Sequence, residues 1–411
     1  MPNRQSSIVK TSVITRIETM MHPDYPKLLW VRLHTNDGLV GLGETSFGPE
    51  AVAAWIHESA AETLLGADPM RLDYLWQMLG RAGTFTSRAR GTEVRGQSAL
   101  DIALWDLYGK RVKQPLYQLL GGLFRDKIRV YNTCAGYSYG VNRPGHYKAG
   151  ELDHHPEQPY EDQHAFLTDA GALAEDLLSQ GFTAMKVWPF DQFVEKTNGQ
   201  FISKEDVEAG AEPFRKIRSK VGKRMDMMVE MHCLWNLPSA IRIARALEPL
   251  DPYWFEDPVP MDNIDSVAQF KNSTHIPTTA SETMSTRWAF RELFEKRAVT
   301  ICMFDISWTG GVSEAKRIAT LAEAYHLPIA PHDCVGPVTL ACSVHLSLNA
   351  PNALIQETVR AYNATWYNDI VTTLPRIEGG FAYPPAGIGV GTELHESLLK
   401  DKRLRKRVSE L

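Results

Sequence analysis

The chain has 411 residues, with 44 Lys+Arg against 49 Asp+Glu for a formal charge of −5, and it is 44% hydrophobic and 23% charged. Such a balanced, mildly acidic chain lacks the dense basic face that nucleic acid needs, and its apolar content excludes global disorder. Five cysteines (Cys134, Cys233, Cys302, Cys334, Cys342) without C-x-x-C spacing argue against a disulfide framework or zinc site, and no apolar run reaches membrane-spanning length, so a soluble protein of the reducing cytoplasm is expected.

Residues 29–33 (LWVRL) and 39–43 (LVGLG) flank the turn Thr35-Asn36-Asp37-Gly38, which predicts a β-hairpin whose glycines suit a tight turn. After Gly48-Pro49 the pattern becomes helical over 51–65, 70–79 and 97–111. In the last of these, Leu100, Ala103, Leu104 and Leu107 form one stripe at i, i+3, i+4 spacing. Pro115 and Gly121-Gly122 close this block. From residue 128 the rhythm changes to short strand then helix, repeated. Predicted strands are 128–133, 183–188, 227–231, 253–257, 278–282, 299–305, 327–333 and 353–357, with helical segments such as 240–247, 267–271 and 313–325 between them. Eight β units alternating with helices predict an α/β fold, a (β/α) barrel. An open doubly wound sheet would carry a glycine-rich phosphate turn after its first strand, and CAGYSYG after Thr133 has no G-x-G-x-x-G. A polar stretch at 136–166, holding His146, His154, His155 and His164, is too long for a plain connection and reads as a lid or an oligomer contact. Its His154-His155 pair reads as solvated loop rather than metal site.

In a barrel, the C-terminal strand ends face the active site. Reading off those ends gives Lys186, Glu230, His232, Glu256, Asp257, Glu282, Asp305, His332 and Glu357. Glu230, Glu256 and Glu282 close three consecutive units at equal spacing, 256 − 230 = 26 and 282 − 256 = 26. A single strand-end acid would more often cap the next helix. Three converging carboxylates repel unless a hard cation sits between them, which points to Mg2+. Glu230 and His232 are two apart and share one strand face, as do Lys186 and Trp188. Asp305 and His332 end neighbouring strands, where an Asp that accepts one imidazole N–H fixes the tautomer and raises the basicity of the other nitrogen.

At these residues the sequence resembles the enolase superfamily, and within it the mandelate racemase subgroup. The likeness runs in order through HTNDGLVGLGE (34–44), GQSALDIALWDLYGK (96–110), QPLYQLLGG (114–122), VEMH (229–232), WFEDP (254–258), SET (281–283), DISWTGGVSEAKRIA (305–319), APHDCVGPV (330–338) and IQE (355–357). The resemblance implies an α+β capping domain (1–125, lid loops near 17–27 and 82–93), a (β/α)7β-type TIM barrel (126–375) and a C-terminal segment (376–411) packing back on the cap. It also implies one Mg2+ per subunit on Glu230, Glu256 and Glu282, and a homo-oligomer. Many members carry K-x-K on the second barrel strand, the second lysine acting as base; here the motif reads Lys186-Val187-Trp188, which disfavours a two-base racemase. Most relatives have Asp where Glu230 stands. His232 resembles the acid of sugar-acid dehydratases of the galactonate type.

The expectation is therefore Mg-dependent dehydration of an aldonate or aldarate to a 2-keto-3-deoxy acid. His332, oriented by Asp305, takes the α-proton, His232 protonates the leaving hydroxyl, Lys186 holds the substrate carboxylate, and Glu357, protonated or sharing a proton, hydrogen-bonds that carboxylate or the enediolate. His22, Arg88, Arg90, Trp188 and Trp308 are the candidate substrate contacts, with Trp366 as a further stacking surface. Arg88 or Arg90 on a distal carboxylate would favour an aldarate. The rival readings are an epimerase or a lactone-opening cycloisomerase acting through the same enediolate, a muconate-type lactonizing enzyme, and a silent sugar-acid binding protein.

Overall fold

The computed structural model describes residues 12–83, 91–141 and 155–411. Its first sheet is antiparallel: β1 (Ile14–His22), β2 (Tyr25–Thr35) and β3 (Val40–Ser46) lie side by side. Leu29, Val31 and Leu33 alternate onto one face and meet the predicted stripe Leu100, Ala103, Leu104 and Leu107 of the helix Thr92–Val112. Gly41 and Gly43 serve this contact rather than the turn. A Cβ would fall 2.1 Å from the Ala103 carbonyl oxygen at Gly41 and 1.9 Å from that of Ala99 at Gly43. Residues 20–25, expected as a lid loop, are the end of β1, a short turn at Pro23-Asp24 and the start of β2.

The barrel strands follow in chain order. β4 (Ile128–Thr133), β5 (Ala184–Val187), β6 (Asp226–Glu230), β7 (Trp254–Glu256), β8 (Thr278–Ala280) and β9 (Ile301–Cys302) are parallel neighbours, and β10 (Gln356–Thr358) pairs back onto β4. The predicted strand at 327–333 makes only isolated bridges, Cys302 to Ile329, Asp305 to His332 and Ile329 to Ala353. Pro328 and Pro331 explain this, because each removes a ladder donor. Tyr131, Ala184, Met228, Trp254, Ile301, Met303, Ala330 and Ile355 form one buried cluster drawn from the strands around the ring.

Two further pieces were not legible as strands. β11 (Ile377–Glu378) and β12 (Phe381–Ala382) make a small hairpin against β4, and β13 (Arg405–Glu410) pairs antiparallel with β1. The 136–166 stretch holds the short helix Tyr137–Val141 and the start of the helix Asp162–Ser179. His146 and His154 lie outside the described residues, and His155 faces Glu157 at 3.1 Å. All five cysteines are unpaired. No helix among the described residues is long and apolar enough to cross a membrane.

Candidate active site

Glu230 and Glu256 close β6 and β7, and Glu282 stands two residues past β8. One carboxylate oxygen from each lies within 4.8 Å of the others. The spacing of 26 is thus the length of one βα unit, each unit bringing one carboxylate to the same mouth. Burial, then the charge of Glu230, pushes Glu256 well above the ordinary carboxylate range. Apart from Lys186 Nζ at 3.1 Å, Glu230 Oε2 is buried without a hydrogen-bond partner. An all-carboxylate donor set under mutual repulsion, with one such oxygen, fits a hard divalent cation such as Mg2+.

Lys186, near the end of β5, reaches Glu230, Glu256 and Glu357, the last at 3.0 Å. Burial alone would lower its pKa, but Glu256 and Glu357 hold the ammonium well above the usual lysine range. His332 Nδ1 is 2.7 Å from Asp305 Oδ2, and its Nε2 is 2.9 Å from Glu282 Oε2. Asp305 is fixed in turn, because its Oδ1 accepts from both the backbone N–H and the hydroxyl of Ser307 at 2.7 Å. It is therefore at once a cap for its own turn and the partner of His332.

His232 is built differently. β6 ends in a left-handed turn, φ 48° at His232 and 59° at Cys233, and the His232 N–H donates to Glu230 Oε1 at 2.8 Å. Its Nδ1 is 2.7 Å from Asp191 Oδ2, and its ring stands edge-on to Trp188, with centroids 5.8 Å apart. Trp188, in the place of the second lysine, also packs against Phe166 and Tyr139.

One cavity is lined by Lys186, Trp188, Glu230, His232, Glu282, Trp308, His332 and Glu357, together with Thr133, Phe47, Tyr139, Cys334 and Val335. Glu256 sits behind it under Lys186. Two expectations about these residues change. Glu357 was expected to be protonated or to share a proton; although burial acts the other way, Lys186 and His332, with donors from Thr133 and the Asp333 N–H, hold it below the usual range, which leaves the sharing alternative. His22 was to touch substrate; its buried ring ends β1, faces Asp401 of the C-terminal segment at 3.2 Å and does not line the cavity. Trp366 packs between Tyr25 and Tyr362, likewise away from the cavity. Arg88 and Arg90 lie outside the described residues.

Sequence reasoning missed Asp191, Phe47, Lys27 and Arg95. Lys27 Nζ lies 5.1 Å from the Tyr139 ring centroid, and burial lowers its pKa to about 8. The Arg95 guanidinium lies 4.2 Å from the Trp308 ring centroid. Both cations thus stand beside rings that line the cavity. Asp191 follows β5 in a helical turn, where neither the strand period nor a motif marks it.

Comparison with known proteins agrees with this geometry. The family described as mandelate racemase / muconate lactonizing enzyme, N-terminal domain, matches residues 9–121, and the one described as enolase C-terminal domain-like matches residues 169–398. A D-galactonate dehydratase from Ralstonia nicotianae is 31% identical over 404 residues, covering 95% of this chain and 94% of its own. The crystal structure of an enolase of the mandelate racemase subgroup from Agrobacterium tumefaciens is 46% identical with a TM-score of 0.85, covering 97% of this chain and 99% of its own. An enolase protein from Sargasso Sea environmental sequencing is 39% identical with a TM-score of 0.86, covering 97% and 99%.

Proposed function

The chain belongs to the mandelate racemase / muconate lactonizing enzyme family of the enolase superfamily, and from that premise we propose that it is a hydro-lyase removing water from a sugar acid. The observation that carries this reading is that His332 and His232 face one cavity, which is also lined by Lys186 and by Glu230 and Glu282 of the carboxylate cluster. Glu230, Glu256 and Glu282 are the residues that would hold Mg2+, which when bound neutralises charge developing on the substrate carboxylate.

The chain's own residues do the rest. The Lys186 ammonium binds the substrate carboxylate as that charge grows, an electrostatic contribution aimed at the atom where it appears. His332 Nε2 takes the α-proton, while Asp305 keeps the other ring proton on Nδ1. The C–H electron pair becomes the C2–C3 double bond as the 3-hydroxyl departs. Hydroxide is a poor leaving group, so His232 supplies a proton and water leaves. The enol then tautomerises to a 2-keto-3-deoxy acid. Trp188 puts an aromatic wall where a second base would stand, and this favours elimination over racemisation.

The test is a panel of aldonates and aldarates incubated with the protein and Mg2+, read for 2-keto-3-deoxy acid. Product from at least one member is expected. No keto acid from any member, with deuterium entering the α-position of one, would replace this reading with an epimerase or cycloisomerase.

A further inference from the structure

Asp191 is an unusual buried acid. It is 4% exposed, its Oδ2 lies 2.7 Å from His232 Nδ1, and its Oδ1 is buried without a hydrogen-bond partner. Burial pushes its pKa up, and the largest opposing influence is His232. Carboxylates kept inside a fold for stability normally have their lone pairs filled, as Asp305 does with Ser307. Asp191 instead ends on one imidazole, and nothing else among the described residues offsets its desolvation.

The contact fixes two things about that imidazole. An ionised carboxylate only accepts, so the hydrogen bond keeps a proton on Nδ1 and assigns the exchangeable site to Nε2. Trp188, edge-on to the ring, and the left-handed backbone at His232 restrict how the ring can turn. The same Nδ1–Oδ2 pairing at the same 2.7 Å recurs at His332 with Asp305, so the cavity is served by two carboxylate–imidazole pairs from different βα units.

We propose that Asp191 is a positioning residue for the departure of water: it holds His232 so that the Nε2 proton is delivered to the leaving hydroxyl. This rests on the elimination reading above. The balance is simple. The α C–H bond breaks and its proton goes to His332; the C–H electrons form the C2–C3 double bond; the C3–O bond breaks, and the oxygen leaves as water with the His232 Nε2 proton. Asp191 changes no bond. It keeps Nδ1 protonated before and after, so that Nε2 is the atom that loses and regains the proton.

A residue that only supports the fold would affect every reaction at the site alike, so the test uses leaving groups that differ in their need for a proton. Asp191→Asn and Asp191→Ala are assayed beside His232→Gln, on an accepted sugar acid and on its 3-deoxy-3-fluoro analogue, whose fluoride leaves without protonation. For Asp191→Asn, kcat for water loss is expected to fall at least ~10²-fold, as for loss of acid–base catalysis, with KM within about threefold of wild type. Fluoride release is expected to stay within about threefold of wild type, and deuterium is expected to exchange into unreacted substrate faster than product forms. His232→Gln should give the same pattern. Equal loss of water and fluoride elimination in both Asp191 variants, or no loss of either, overturns the proposal. A wild-type protein that exchanges α-deuterium yet forms no keto acid overturns the elimination reading itself, a different result. Should Asp191→Asn fold poorly by circular dichroism, the Asp191→Ala ratio of fluoride to water elimination decides on the folded fraction, because the ratio is independent of the amount of active protein.

Discussion

Glu44 Oε1 lies 2.9 Å from the backbone nitrogen of Thr339 and 3.0 Å from its hydroxyl oxygen, although the two residues are 295 positions apart. The Val338 N–H donates to the same oxygen at 3.1 Å, and Trp30 Nε1 donates to Oε2 at 3.0 Å. A carboxylate from the cap's third strand thereby satisfies the free N–H groups that open the barrel helix Pro337–Asn349. That helix begins five residues after His332, so the cap is joined to the segment that carries the proposed base.

Gly336 is what lets the carboxylate come so close, because a Cβ there would fall 2.3 Å from Glu44 Oε1. Gly336→Ala should destabilise by about 1–3 kcal/mol, the ordinary cost of overpacking, and lower kcat/KM as the His332 segment shifts. Urea denaturation and steady-state kinetics check this. A variant of wild-type stability would mean that Glu44 can retreat without loss.

His332→Asn should lower elimination at least ~10²-fold and also abolish α-deuterium exchange, since the proposed base starts both. The pairing of losses is the informative part. Retained exchange would place the base elsewhere.

Removing metal with EDTA should abolish turnover, and Mg2+ should restore it. Mg2+ should also raise the melting temperature, because an ion that binds only the folded state stabilises it, by about 2.7 kcal/mol at a hundredfold excess over Kd. Glu256→Gln, which keeps the shape but removes one charge, should weaken both effects. A wild-type melting temperature unmoved by Mg2+ would argue against the carboxylate cluster as its site.

His345 gives a pH dependence with a definite sign. It is buried; its Nδ1 accepts the Tyr117 N–H at 3.2 Å and its Nε2 faces the Val390 carbonyl at 3.3 Å, an arrangement that only neutral imidazole satisfies. Burial lowers its pKa from 6.5 to about 3. The unfolded chain therefore binds the proton more readily, so this contribution is fully present above pH 6.5 and is lost progressively as pH falls from there toward 3. Urea midpoints should show the stability difference between wild type and His345→Gln shrinking, then reversing, on acidification. Parallel midpoints across that range would contradict the assignment.

The barrel was legible because each of its units repeats one chemical pattern. A β-rich segment ends in Lys186, Glu230, Glu256 or Glu357, so position in the repeat reveals position at the mouth. The seventh segment differs from its sequence pattern: Ile329 and Ala330 look like strand, yet Pro328 and Pro331 leave only bridges. His22 differs for a related reason: Met20–His22 looks like loop in the sequence, yet the run from Ile14 is a strand. Asp191 was invisible because its partner is 41 positions away and it lies in an irregular turn. Lys27 and Arg95 were invisible as members of the site because only the docking of cap on barrel brings them beside Tyr139 and Trp308.

The pairing of β13 with β1 has a consequence for synthesis. Arg16 lies opposite Glu410, 410 − 16 = 394 positions later. At about 5–20 residues per second, a ribosome that has released β1 takes roughly 20–80 s to release its outer neighbour. For that interval the strand offers an open hydrogen-bonding edge to any other nascent chain. Arg16 and Glu18 on β1 place charge along that edge, which is how natural sheets discourage unwanted pairing while an edge is exposed.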